Sequence, residues 1–130
     1  MRLVWAVACR SYELQDDRTA DIEGAGVNRV WVNRMPEEVS LPLLLRLGFL
    51  ENEPPTELRI ELYGPEMSSF GELATSLEGE PGPGHRPGDE MPMIYPLELR
   101  FWANRVGNYS AEIYADGRHQ DSVFFVVEAP

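Results

Sequence analysis

Hydrophobic and polar positions along this chain alternate mostly with period two, the pattern of strands that bury one face. The clearest case closes the chain. Tyr109, Ala111, Ile113 and Ala115 alternate with Ser110, Glu112 and Tyr114. Asp116-Gly117 follows, and Val123, Phe125 and Val127 return on one face with Phe124 and Val126 on the other. This predicts a β-hairpin, the Asp-Gly pair supplying the positive φ that a two-residue turn demands. Thr56–Tyr63 alternates as cleanly: Leu58, Ile60 and Leu62 point inward, Glu57, Arg59, Glu61 and Tyr63 outward.

The other segments are read in the same way. Leu3–Cys9 is a continuous apolar run between Arg2 and Arg10. It is short for a helix or a secretory signal and suits a buried strand. Asp16-Asp17 marks a turn, Thr19–Glu23 a strand ended by Gly24-Ala25-Gly26, and Val27–Asn33 another strand, while Met35–Glu38 reads as loop. Leu41–Leu50 is apolar on both faces, with Leu43, Leu45, Leu47 and Phe49 on one and Leu44, Arg46, Gly48 and Leu50 on the other. Pro42 and Gly48 suit a helix badly, so a central strand is expected. Ser69–Glu80 fits either period, with Leu73, Thr75 and Leu77 favouring a strand. Glu80–Pro92 is too rich in Pro and Gly for regular structure and forms a long loop, mobile or functional. Met93–Trp102 resumes as a strand, with Pro96 placing it at a sheet edge or a bulge.

About seven to nine short strands, no helix, no repeat and no boundary predict one domain over residues 1–130, a two-sheet sandwich. Gly107-Asn108-Tyr109-Ser110-Ala111 resembles the tyrosine corner of immunoglobulin-like sandwiches. Ala111 stands where those domains carry a disulfide cysteine, so the resemblance implies the strand layout without the disulfide. The expected class is therefore an all-β, two-sheet immunoglobulin-like β-sandwich. More of the chain resembles a family of small uncharacterised bacterial proteins, met also in actinobacterial and phage genomes. Asp17–Val32, with its D-D-R-x-x-D-I-E-G-A-G-like segment, the apolar L-P-L-x-L-R-L strand and the hairpin from Gly107 to Val127 carry that resemblance. It implies the fold and a bacterial or phage source, and brings no activity, cofactor or catalytic residue.

Composition narrows the classes further. The 130 residues include 22 acidic and 11 basic side chains, a formal charge of −11. Every basic residue is Arg, which excludes a P-loop lysine, a Schiff-base lysine and a lysine base. Scattered Arg on an acidic chain argues against nucleic acid as a partner. No run approaches the ~20 apolar residues of a membrane helix. A single cysteine, Cys9, allows no internal disulfide and no multi-cysteine zinc site, and fits a reducing compartment. The expected location is cytoplasmic, or virion-associated if the chain is phage-encoded.

Candidate chemistry is sparse. Cys9, inside an apolar strand, should behave as an inert hydrophobe. Asp116, His119 and Asp121, near the hairpin turn, offer metal-ligand chemistry, as do His85, Asp89 and Glu90 on the long loop. The acidic pairs Asp16/Asp17, Glu37/Glu38 and Glu51/Glu53 sit on turns without the apolar setting that raises a carboxyl pKa. Trp31, Tyr63, Trp102 and Tyr114 either form an aromatic platform or pack under loops. Arg59, Tyr63, Arg100, Trp102 and Tyr114 are the interface candidates, since aromatics and Arg concentrate at hot spots. The expectation is a non-catalytic, cofactor-free interaction or structural module that docks to a protein partner or to itself. The alternative is a sandwich binding a small ligand or glycan through the same aromatics and the Glu80–Pro92 loop.

Overall fold

Ten strands form, in chain order, in a computed structural model that describes residues 1–130. They are β1 (Arg2–Ala8), β2 (Ser11–Leu14), β3 (Ala20–Glu23), β4 (Arg29–Trp31) and β5 (Glu37–Phe49), then β6 (Thr56–Tyr63), β7 (Ser69–Leu77), β8 (Met91–Ala103), β9 (Gly107–Ala115) and β10 (Arg118–Glu128). One sheet has the order β1-β5-β8, the other β4-β10-β9-β6-β7, and β2 and β3 form a separate hairpin. All pairings are antiparallel except that of β4 with β10. The chain passes from β1 through the β2–β3 hairpin to the five-stranded sheet at β4, and crosses between the two sheets again after β4, after β5 and on either side of β8, so both layers build one core.

That core is a cluster of 21 buried residues drawn from the inward positions of both sheets. The alternation in β6 and β9 is realised as expected: Leu58, Ile60, Leu62, Tyr109, Ala111 and Ile113 are all buried. Leu43, Leu45, Leu47 and Phe49 face the same interior from β5. Leu44 is equally buried on the opposite face of β5, in register with Val7 and Pro96. Cys9 is buried beside it, where Gly26 and Val27 donate back to the Ala8 carbonyl. This small apolar site explains why β5 carries leucine on both sides.

Four aromatic rings join the layers. Tyr109 lies 5.3 Å from Phe70, 5.2 Å from Phe101 and 5.7 Å from Phe125, measured between ring centroids. Its hydroxyl donates to the Arg105 carbonyl at 2.8 Å, closing the corner between β8 and β9. The tyrosine corner is thus present, and the molecule is a two-sheet immunoglobulin-like β-sandwich. It has more strands than the expected seven to nine. Ser11–Leu14 is a strand rather than the approach to a turn, and Glu37-Glu38 opens β5 rather than ending a loop. Both are too short or too polar to declare themselves; pairing with a neighbour makes them strands.

The closing hairpin turns at Asp116 (φ 49°) and Gly117 (φ 78°), the left-handed pair of a type I′ turn. Asp116 also accepts from the Glu57 amide at 2.9 Å, tying the turn to β6. Pro96 lies on β8, an edge strand, as its chemistry requires. The segment between β7 and β8 is irregular yet tethered. Arg18 donates to the Glu80 and Pro81 carbonyls, His85 meets Glu51 at 2.5 Å, and Arg2 grips Glu90 through two bonds of 3.0 and 2.7 Å.

Tyr109→Phe keeps the ring and deletes one hydrogen bond, so unfolding in denaturant should show a loss of about 1 kcal/mol. Phe125→Ala, which leaves a cavity among the rings, should cost about 3–5 kcal/mol. Burial raises the Tyr109 phenol above its usual value of 10.0. The neutral phenol therefore supports the fold below about pH 10, and this contribution is lost as pH rises through the higher folded value. The stability gap between wild type and Tyr109→Phe should accordingly narrow in strong alkali.

Candidate functional site

The strand registers assign every outward side chain to one of two surfaces. On the five-stranded sheet, the ladder β10-β9-β6-β7 sets Phe124 beside Ser110 and Tyr63, Ser122 beside Glu112, Glu61 and Glu72, and His119 beside Tyr114, Arg59 and Ala74. Arg29 and Trp31 extend the same face across β4, next to Val126 and Glu128. On the three-stranded sheet, β8 turns Glu98, Arg100 and Trp102 outward, opposite Pro42, Ser40 and Glu38 of β5.

The five interface candidates are therefore divided. Arg59, Tyr63 and Tyr114 share the outer face of the five-stranded sheet, whereas Arg100 and Trp102 lie on the opposite side of the sandwich. They cannot form one contact surface. Sequence parity places each residue in or out correctly, but the sheet to which a strand belongs is set by pairing partners far along the chain. Two exposed aromatics join the first group instead. Phe124 is 68% exposed and Trp31 60%, while Trp102 stands alone on the other face at 61%. Phe124 was legible as an outward position of β10; its neighbours were not.

Tyr63, Tyr114 and Arg59 are held by one another and by acids. The Arg59 guanidinium lies 4.7 Å above the Tyr114 ring, and its Nε is 3.3 Å from Glu61 Oε1. That Nε is buried and not aligned for a hydrogen bond, so the contact is ionic. Tyr63 donates to Glu61 at 2.6 Å, and the carboxylate acceptor raises the phenol pKa. Glu112, Glu61 and Glu72 form a row of three carboxylates across adjacent strands, with Arg59 as the cation among them.

The metal candidates are not brought together. A bulge between His119 and Asp121 moves the register, so His119 pairs with Tyr114 on the outer face and Asp121 with Ile113 on the inner parity. Asp116 is engaged with the Glu57 amide, and Asp121 accepts from the Ser122 amide. Strict period-two alternation would set His119 and Asp121 on one face, and the extra residue of the bulge inverts the side-chain direction between them. His85, Asp89 and Glu90 are separated as well: Glu51 takes His85, the Arg86 amide takes Asp89, and Arg2 takes Glu90. No group of three or more His, Cys, Asp and Glu side chains converges on a metal position.

The same bulge assembles a polar cluster that has no sequence signature. His119 Nε2 lies 3.2 Å from Ser122 Oγ and 3.3 Å from Glu112 Oε2, and Ser122 also donates to Glu112. In a hydrolytic triad, the imidazole bridges serine and acid through its two different nitrogens. Here both partners share one nitrogen and the ring edge packs on Tyr114 at 5.3 Å, so no relay activates Ser122. Cys9 is fully buried, and burial alone raises its thiol pKa.

No protein-family model and no curated protein sequence matches the chain. No helix of the structure is long and apolar enough to cross a membrane.

Two outcomes check this geometry. A colorimetric disulfide reagent should leave Cys9 unmodified in the native protein and react at once after denaturation. Asp116→Ala, which unties the turn from β6, should lower stability by about 1 kcal/mol in chemical denaturation.

Proposed function

We propose that the chain is a non-catalytic protein-interaction module that docks through the outer face of its five-stranded sheet. The observation that carries this reading is that two strongly exposed aromatics, Phe124 and Trp31, lie on the same face as Tyr63, Tyr114 and Arg59. Apolar side chains at such exposure mark a surface that gains by being covered. Tyrosines pre-set by neighbouring side chains lose little rotamer freedom on contact, which suits them to hot spots. The formal charge of −11 favours a partner whose contact surface is apolar at its centre and basic at its rim. The face holds one open concavity of about 380 Å³ beside Phe124, Arg29 and Val126; the exposed aromatics reach well beyond it across the sheet, which favours a protein surface over a glycan or a small molecule.

Capture of partners from source lysate should compare wild type with Trp31→Ala/Phe124→Ser and with Trp102→Ala. The double variant should lose the partner, with affinity lowered by about tenfold or more, while Trp102→Ala retains it. Equal recovery by wild type and the double variant would remove this face from the proposal.

A further inference from the structure

β8 is an edge strand whose neighbour on one side is missing. The Cys9 amide donates to the Pro42 carbonyl, so Pro42 aims its backbone polar groups at β1 and Leu43 aims its own at β8. Alternation along the unbroken β5–β8 ladder then settles the direction of every β8 amide. Met93, Tyr95, Leu97, Leu99 and Phe101 bond to β5, while Ile94, Glu98, Arg100 and Trp102 present N–H and C=O to the open side. Pro92 and Pro96 fall at open-side positions, where they have no N–H to offer. The edge is thus blunted up to Pro96 and bare from Leu97 to Ala103.

The bare stretch borders the opening between the two sheets. A groove of about 220 Å³ runs there, lined by Ile60, Leu62, Phe70, Leu73, Leu97 and Leu99. Leu73 points to the interior side of β7 yet is 45% exposed, because no strand lies opposite it. An unpaired backbone edge beside uncovered core is a surface for strand addition.

We propose that this edge takes a second copy of the chain, with β8 antiparallel to β8 and centred on Leu99. The charges select this register among those the backbone allows. Because the free amides recur at every second residue, permitted registers differ in steps of two. One neighbouring register sets Glu98 against Glu98 and the other sets Arg100 against Arg100. The register between them sets Glu98 of each copy against Arg100 of the other, Leu99 against Leu99, Leu97 against Phe101, and Trp102 against Pro96. Opposite charges then alternate in a checkerboard on the outer face, and the inner face is apolar throughout. Within one copy Arg100 already meets Glu98 at 3.2 Å, so both side chains lie along the strand at the height where the copy would meet them. The contact is isologous and closes as a two-fold dimer, with Pro96 ending the new ladder at both sides. This rests on the reading of the chain as an interaction module and names one of its partners.

Sedimentation velocity on the full chain tests the pairing with Glu98→Arg, Arg100→Glu, the double exchange and Arg100→Pro. Both side chains are exposed and the Arg100 amide bonds nothing in the monomer, so circular dichroism should show all four variants folded. Wild type should dimerise, each single reversal should weaken the dimer by about tenfold or more, and the double exchange should restore it. Arg100→Pro should abolish it, because it removes an edge donor without touching the ladder to β5. Trp31→Ala/Phe124→Ser should dimerise as wild type does, which separates failure here from failure of the outer-face proposal. A monomeric wild type would overturn the pairing and leave the edge for the strand of another protein. A dimer indifferent to both reversals would overturn it too, since the copies would then meet elsewhere.

Discussion

The packing of Tyr109 against three phenylalanines is the contact on which the sandwich depends. Phe70, Tyr109 and Phe125 come from β7, β9 and β10 of one layer and Phe101 from β8 of the other, so a single cluster clamps both sheets. The ring of Tyr109 supplies buried area, and the Arg105 carbonyl in the β8–β9 crossover accepts from its hydroxyl, so the buried phenol is left with no unmet donor. Burial without that bond would leave the Tyr109 hydroxyl unsatisfied beside the core. A phenylalanine could fill the space but not the hydrogen bond, and an aliphatic residue could do neither.

From this clamp follows an imbalance that shapes the surface. Five strands face three, and the deficit falls at the β7–β8 side, where inward leucines remain half covered. The opposite deficit is corrected differently: on the outer face of β5, Leu44 and Cys9 are fully buried where the chain leaves β1 and doubles back. Proline does a related task along β8, since Pro92 and Pro96 protect the part of the edge that carries no paired charges. The long segment before β8 is held down by Arg18, His85 and Glu90 at three separate places, so its irregular backbone does not make it a free arm.

A single residue has a large effect on the outer face. The bulge at Gln120 sets Ser122 opposite Glu112 and turns Asp121 to the other side of the strand. An acidic set that looked like a metal site from spacing alone is dispersed, and a serine–histidine–glutamate cluster appears in its place. The carboxylate row Glu112, Glu61 and Glu72 likewise exists only through strand pairing, which joins Glu61 to Glu112 across 51 positions of the chain. Arg59, stacked on Tyr114, moderates its repulsion.

Local chemistry determined the elements of this protein. Period-two alternation named the buried faces of β6, β9 and β10, Asp116-Gly117 named the turn, Pro96 named an edge, and Gly107-Asn108-Tyr109 named the corner, because each depends on backbone preferences or side-chain direction within a few residues. The absence of lysine and the acidic balance were equally legible, and they bounded the chemistry without locating it. Tertiary structure alone decided which strands share a sheet, and hence that Tyr63 and Arg100 lie on opposite surfaces. It also decided that Leu44 is covered and that the β8 edge is bare beside an open groove. Those outcomes rest on long-range pairing and on one inserted residue. Their energies are shared between segments distant in sequence, so no single stretch of the chain carries them.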